Sequence, residues 1–121
     1  MSKTIRTVAE LDIALPVPCS SLLELSVELD DGQSMVALIN GGLGWLMHLR
    51  HYEDAGFSSR NPGYSGDPKG VISYQLSNGQ IDEYPAAWAY PVEQLKQALT
   101  FFLESRQRPS WIQWHADGKE S

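Results

Sequence analysis

Pro91-Val92-Glu93-Gln94-Leu95-Lys96-Gln97-Ala98-Leu99-Thr100-Phe101-Phe102-Leu103-Glu104, followed by Ser105-Arg106-Gln107-Arg108-Pro109-Ser110 and then Trp111-Ile112-Gln113-Trp114, is the stretch that decides the fold. Val92, Leu95, Leu99 and Phe102 follow one another at spacings of 3, 4 and 3, which lays one apolar stripe along a helix. Pro91 suits the first turn, where its missing N–H has no intrahelical bond to make. The segment around Pro109 ends the helix, and Trp111–Trp114 reads as a short apolar strand. A one-faced helix running into a strand needs a sheet on which both can pack.

The upstream sequence supplies that sheet. From Leu22 to Leu29, Leu23, Leu25, Val27 and Leu29 take one face and Glu24, Ser26 and Glu28 the other, the alternation of a half-buried strand. Asp30-Asp31-Gly32-Gln33-Ser34 has turn chemistry. Met35-Val36-Ala37-Leu38-Ile39 is apolar throughout and fits a central strand covered on both faces. Asn40-Gly41-Gly42 offers the positive-φ residues of a tight hairpin, and Trp45 to Arg50 returns with Trp45, Met47 and Leu49 on one face. Val71 to Leu76 and Gln80 to Tyr84 form a second strand pair around Ser77-Asn78-Gly79, and Pro85 marks an edge or a strand end. Near the start, Thr7-Val8-Ala9-Glu10 has capping-box spacing for a short helix through about Ala14, stopped by Pro16 and Pro18. Residues 51–70, with four glycines, two prolines and little periodicity, read as a long loop of the functional or mobile kind. The expected fold is α+β: an antiparallel β-meander with a short N-terminal helix and a longer C-terminal helix packed on one side, then a final short strand. It forms a single domain over 1–121.

Composition narrows the function. Fifteen acids against nine Lys and Arg give a net charge of −6, the wrong sign for gripping phosphate backbones, so direct nucleic-acid binding is not expected. The surplus is −5 within residues 1–54 and −1 beyond, which suits either solvated loops or an acidic face for a basic partner. Cys19 is the single cysteine, so no internal disulfide forms and a reducing compartment fits. Met1-Ser2-Lys3-Thr4-Ile5-Arg6 lacks the apolar core of a secretory signal, and no run is long enough to span a bilayer. A cytoplasmic protein with no membrane partner is expected.

The block that decides the fold also resembles the C-terminus of a bacterial immunity-protein family, immunity protein family one. There a helix of the type Ala-Leu-x-x-Phe leads into Arg-Pro-x-x-(apolar)-x-Trp, matched here by Ala98, Leu99, Phe102, Arg108, Pro109, Ile112 and Trp114. Glu28-Leu29-Asp30-Asp31-Gly32, the glycine-rich Asn40-Gly41-Gly42-Leu43-Gly44 and a strand ending in Tyr84-Pro85 are similar too, so the resemblance spans roughly residues 20 to 115. It implies an antidote, not an enzyme, that binds a cognate toxin domain one-to-one as a monomer and occludes its active site. The leading partner it implies is a zinc-dependent nucleic-acid deaminase, other toxin activities staying open; a toxin acting on nucleic acid needs a basic substrate cleft, which an acidic surface would occupy as a substrate mimic.

The residues themselves show no catalytic set, metal site or cofactor site. His51-Tyr52-Glu53 matches half of a zinc-deaminase signature, but the Pro-Cys-x-x-Cys half cannot be built from Cys19 alone. His48 and His51, three apart, fall on opposite faces of a strand. Gly41-Gly42-Leu43-Gly44 lacks the Lys-Ser/Thr of a phosphate loop. A dispersed Ser-His-Asp triad stays open, without a Gly-x-Ser-x-Gly elbow. Trp45 and Trp114 are expected in the core, and Arg108-Pro109 is read as a corner. Partner contacts are expected from acids and aromatics in loops: Asp30 and Asp31 in the acidic turn, Glu53 and Asp54 opening the long loop, Tyr64 and Asp67 within it, and Trp88 before the helix. Trp88 also suits core packing. A small-ligand module using the 51–70 loop and Trp88 is the alternative, and an unrecognised hydrolase or transferase is the weakest reading.

Overall fold

The two helices and the strand pairs expected from local signals are present in the computed structural model, which describes residues 3–118. Residues 1–2 and 119–121, the two ends of the expected domain span and part of the segment read as lacking a signal, lie outside the described residues. The chain runs β1 (Lys3–Ile5), α1 (Val8–Ala14), β2 (Leu22–Glu28), β3 (Ser34–Asn40), β4 (Leu43–Leu49), β5 (Phe57–Arg60), β6 (Val71–Gln75) and β7 (Ile81–Pro85). A short 3-10 turn (Ala86–Trp88), β8 (Tyr90–Pro91), α2 (Val92–Ser105) and β9 (Gln113–Ala116) follow. Thr7 caps α1 reciprocally: the Glu10 N–H donates to its hydroxyl at 3.1 Å, and the Glu10 carboxylate accepts from the Thr7 N–H at 3.1 Å.

The main sheet has the order β1-β2-β3-β4-β5-β9, with β8 paired to the start of β4. All pairings are antiparallel except β1 on β2, which makes the sheet mixed. The helices cover one face. Ile39 pairs with Gly44, Ala37 with Leu46 and Met35 with His48, and the core on that side joins Met35, Ala37, Ile39 and Leu46 to Leu95, Ala98, Leu99 and Phe102 of α2. Burying a side chain of that size stabilises the fold by roughly 1.5–3 kcal/mol. At the closest approach β4 carries Gly44. A Cβ there would lie 2.5 Å from the Leu38 carbonyl oxygen and 2.6 Å from Leu95 Cδ1, so glycine is what lets α2 sit on the sheet.

Several expectations need correction. The segment 51–70 is not one loop: β5 lies inside it, paired with β4 and with β9. Phe57-Ser58-Ser59-Arg60 has no apolar alternation because its buried serines are satisfied by hydrogen bonds instead. Ser59 Oγ donates to the Trp88 carbonyl at 3.0 Å and accepts from the Leu46 N–H at 3.0 Å. The meander is also broken. β6 and β7 form a separate two-stranded sheet that packs across part of the face opposite the helices. Leu38, Trp45 and Tyr74 fill that second core, with Ile72, Tyr84 and Trp88 around them. The apolar run of β3 is thus covered on both faces, as its composition predicts. Trp111 precedes the last strand rather than opening it, and it is 48% exposed. Pro91 ends β8 and stands just before the first turn of α2.

Candidate partner-binding site

Ser34 pairs with Leu49, so the turn after β2 and the loop after β4 emerge side by side at one end of the sheet. The end of α2 arrives there as well. Arg106 closes the helix in the left-handed region, φ 64°, with its N–H donating to the Phe102 carbonyl at 2.8 Å. Its guanidinium grips Asp30 and, at 3.2 Å, Asp31. Those two carboxylates raise the Arg106 pKa further above its ordinary value. The Gln33 side-chain and backbone N–H groups, with Arg106 behind them, hold the Asp31 carboxyl below the usual carboxylate range.

Across the turn, Arg50 clasps Asp54 with two parallel bonds of 2.8 Å, and the Arg50 N–H adds a third at 2.9 Å. These donors hold Asp54 well below the usual carboxylate range. Arg6 reaches Glu28 at 3.2 Å. Glu53 stands apart: its φ is 66°, it is exposed, and its carboxylate has no ion pair or hydrogen bond among the described residues. Tyr52 beside it is 87% exposed. Glu28, Leu29, Gln33, Leu49, Tyr52 and Glu53 line a hollow of about 400 Å³ at this end.

Beneath the rim lies a buried polar relay. His48, 4% exposed, sits within 2.8 Å of Gln33 Oε1 through Nε2 and 3.4 Å from Arg108 Nη1 through Nδ1. An amide oxygen only accepts, so Nε2 carries the proton and Nδ1 is the acceptor that faces Arg108. Burial, then the neighbouring Arg108, lowers the His48 pKa to about 4, which matches the neutral ring the geometry requires. Gln33 Nε2 in turn donates to Asp31 at 2.9 Å and to the Arg106 carbonyl at 3.2 Å.

The seven residues expected at an interface therefore separate. Asp30, Asp31, Glu53 and Asp54 converge on this end. Tyr64 and Asp67 lie in the loop beyond β5, where the Tyr64 hydroxyl donates to the Asp67 carbonyl at 2.8 Å. Because β5 runs antiparallel to β4, that loop leaves toward the opposite end of the sheet. Trp88 is half-buried, with the Arg60 guanidinium 3.7 Å over its ring and Trp45 at its edge. Sequence reading missed the arginines: Arg50 and Arg106 meet three of the four converging acids, so this end alternates carboxylates and guanidiniums. It also missed Tyr52, whose signal was its place beside Glu53 in a tight turn just after a strand.

Ser58, His115 and Asp117 do come together, but not as a nucleophile and its base. Ser58 Oγ donates to Asp117 Oδ1 at 3.0 Å and accepts from Arg60 Nη1 at 2.8 Å, while His115 Nε2 is 3.8 Å from the same carboxylate. The acid stands between serine and histidine, and the serine is buried. These contacts tie β5 to the segment after β9. His48 faces the core and His51 lies in the turn beyond β4. Among the described residues no group of three or more His, Cys, Asp or Glu is placed to hold a metal ion. No helix there is long and apolar enough to cross a membrane.

Three of the four acids at the sheet end are tied to arginines around a hollow, with Tyr52 and Glu53 exposed beside it. The chain matches the family model of the immunity protein Imm1 over residues 2–116, and it belongs to that family. None of the curated proteins compared with it matches. The motif residues turn out to be architectural. Ala98, Leu99, Phe102 and Ile112 are core, Trp114 Nε1 donates to the Pro109 carbonyl at 3.0 Å, and Arg108 stacks on Phe57.

Proposed function

We propose that this protein neutralises a cognate bacterial toxin domain by binding it one-to-one and covering its active site, without chemistry of its own. The family match over residues 2–116 carries this reading. The toxin is a zinc-dependent nucleic-acid deaminase, whose substrate cleft must be basic. The surface offered to it is the sheet end at Asp30, Asp31 and Glu53, with Tyr52 as an aromatic anchor, while the Asp54 side chain, 4% exposed, holds Arg50 in place from beneath; Tyr64, Asp67 and Trp88 form a second, separate patch. Glu53 and Tyr52 are its foremost contacts, since Asp30, Asp31 and Asp54 are already held by arginines. The pre-formed arginine pairs cost little to reorganise and set register more than affinity. The protein acts as a cytoplasmic monomer.

The test is titration of the purified chain into deaminase-type toxin domains encoded in the same genome, following cytosine deamination in single-stranded DNA and in RNA. Complete inhibition at one molar equivalent is expected. Inhibition of a toxin with different chemistry keeps the antidote role and removes the deaminase. Full toxin activity at large molar excess overturns the proposal.

A further inference from the structure

The helical side of the molecule carries a second surface that the sheet end does not account for. Val17, Lys96, Gln97, Thr100, Phe101 and Trp111 enclose most of a groove of about 520 Å³ along the outward face of α2. Its floor is apolar. Phe101 and Trp111 meet edge to face at 5.1 Å, and Trp111 and Val17 remain 48% and 39% exposed. An indole left half in water beside a second ring is the kind of residue that anchors interfaces.

The rim selects the occupant. Lys96 is compensated by Asp12 at 3.4 Å. Glu93 and Glu104, also lining the groove, make no ion pair among the described residues. Eleven helical residues apart, they lie about 16 Å from each other along the axis. A second copy of this chain fits poorly, because a two-fold contact across the groove sets Glu93 against Glu104 of the other copy. A basic, apolar-anchored segment meets both features.

We propose that this groove is a second docking surface for the toxin domain. It receives one aromatic or branched aliphatic side chain between Phe101 and Trp111, from a segment with Lys or Arg toward either end. The α2 terminus leads toward the sheet end through Arg106 and Gln33, so a toxin seated there has a direct route along the helix. This inference rests on the antidote reading.

The experiment measures binding of the deaminase-type toxin domain from the same genome to the unaltered chain, to Trp111→Ala, to Gln97→Arg, to the double reversal Glu93→Lys/Glu104→Lys, and to Glu53→Lys. Trp111→Ala and Gln97→Arg are each expected to weaken affinity ~10-fold or more. The double reversal is expected to slow association about tenfold at low salt and much less at high salt. Gln97 has an exposed side chain, so its variant guards against a folding defect at Trp111. Weakening by Glu53→Lys alone, with the three groove variants unchanged, overturns this surface and leaves the antidote reading intact. No binding by the unaltered chain overturns both. Dimerisation of the free chain that Trp111→Ala abolishes assigns the groove to a second copy and overturns the proposal.

Discussion

The guanidinium of Arg108 lies 3.8 Å over the ring of Phe57. One partner belongs to the Arg-Pro corner that follows α2. The other opens β5, the strand hidden in the glycine-rich segment. Arg50 approaches the same ring at 4.9 Å, so a single phenylalanine holds two cations near the sheet end. Burial and Arg50 both lower the Arg108 pKa, yet the group stays charged at any ordinary pH.

Replacing Arg108 by Ala is therefore expected to destabilise the fold by about 1–2 kcal/mol, from the lost cation–π contact and stem packing. Lys in its place is expected to recover only part of this, since an ammonium lacks the planar stack. Urea denaturation midpoints of the three proteins decide it; equal midpoints for Ala and Arg remove the role assigned to the contact.

Stability is expected to fall as pH drops from about 6.5 to 4. His48 has a folded pKa of about 4, so between the unfolded value and that point the unfolded chain binds the extra proton. Stability is undiminished above pH ~6.5, and on the order of 3 kcal/mol of it is lost by pH 4. Asp54 acts in a separate window: its depressed pKa adds stability that is lost below the ordinary carboxylate range. In His48→Gln, denaturation between pH 4 and 6.5 is expected to lose most of its slope. A slope equal to that of the parent assigns the titration to another group.

Two buried tyrosines should respond oppositely to loss of the hydroxyl. Tyr74 OH is buried without a hydrogen-bond partner among the described residues, and burial pushes its pKa up. Tyr74→Phe is expected to be neutral or stabilising by up to ~1 kcal/mol. Tyr90 OH donates to the Arg60 carbonyl at 2.6 Å and accepts from the Gln113 N–H at 3.2 Å. Tyr90→Phe is expected to cost about 2 kcal/mol, because it strands a donor and an acceptor. Calorimetric melting of both variants makes the comparison.

Gly44 and Gly42 are two residues apart and should differ sharply. Ala at 44 collides with the Leu38 carbonyl and Leu95, and is expected to cost about 3 kcal/mol or to prevent folding. Ala at 42 meets nothing within 4 Å among the described residues and is expected to be tolerated within about 0.5 kcal/mol. Thermal melts read out both; a tolerated Gly44→Ala means that α2 does not sit on β4 as described.

What short-range physics controls was legible in the sequence. The capping box at Thr7 and Glu10, the alternation of β2, the two-faced apolar run of β3, the Asn40-Gly41-Gly42 hairpin and the stripe of α2 each need only neighbouring residues. The family resemblance was legible for the same reason, since its motif is the α2 stripe and the corner that ends it. What only the tertiary structure decided depends on partners far along the chain. Ser58 and Ser59 form a strand because β4 and β9 supply ladders and Leu46 and Trp88 supply hydrogen-bond groups. β1 runs parallel to β2 because α1 carries the chain back along the sheet. β6 and β7 leave the main sheet because Tyr74 and Ile72 find an apolar bed on Leu38 and Trp45. At the candidate site the sequence put the acids in two separate turns and showed only their charge; the pairing of Ser34 with Leu49 brings the turns together. Arg106 meets Asp30 and Asp31 from 76 and 75 residues away, and Coulomb attraction acts through space rather than along the chain.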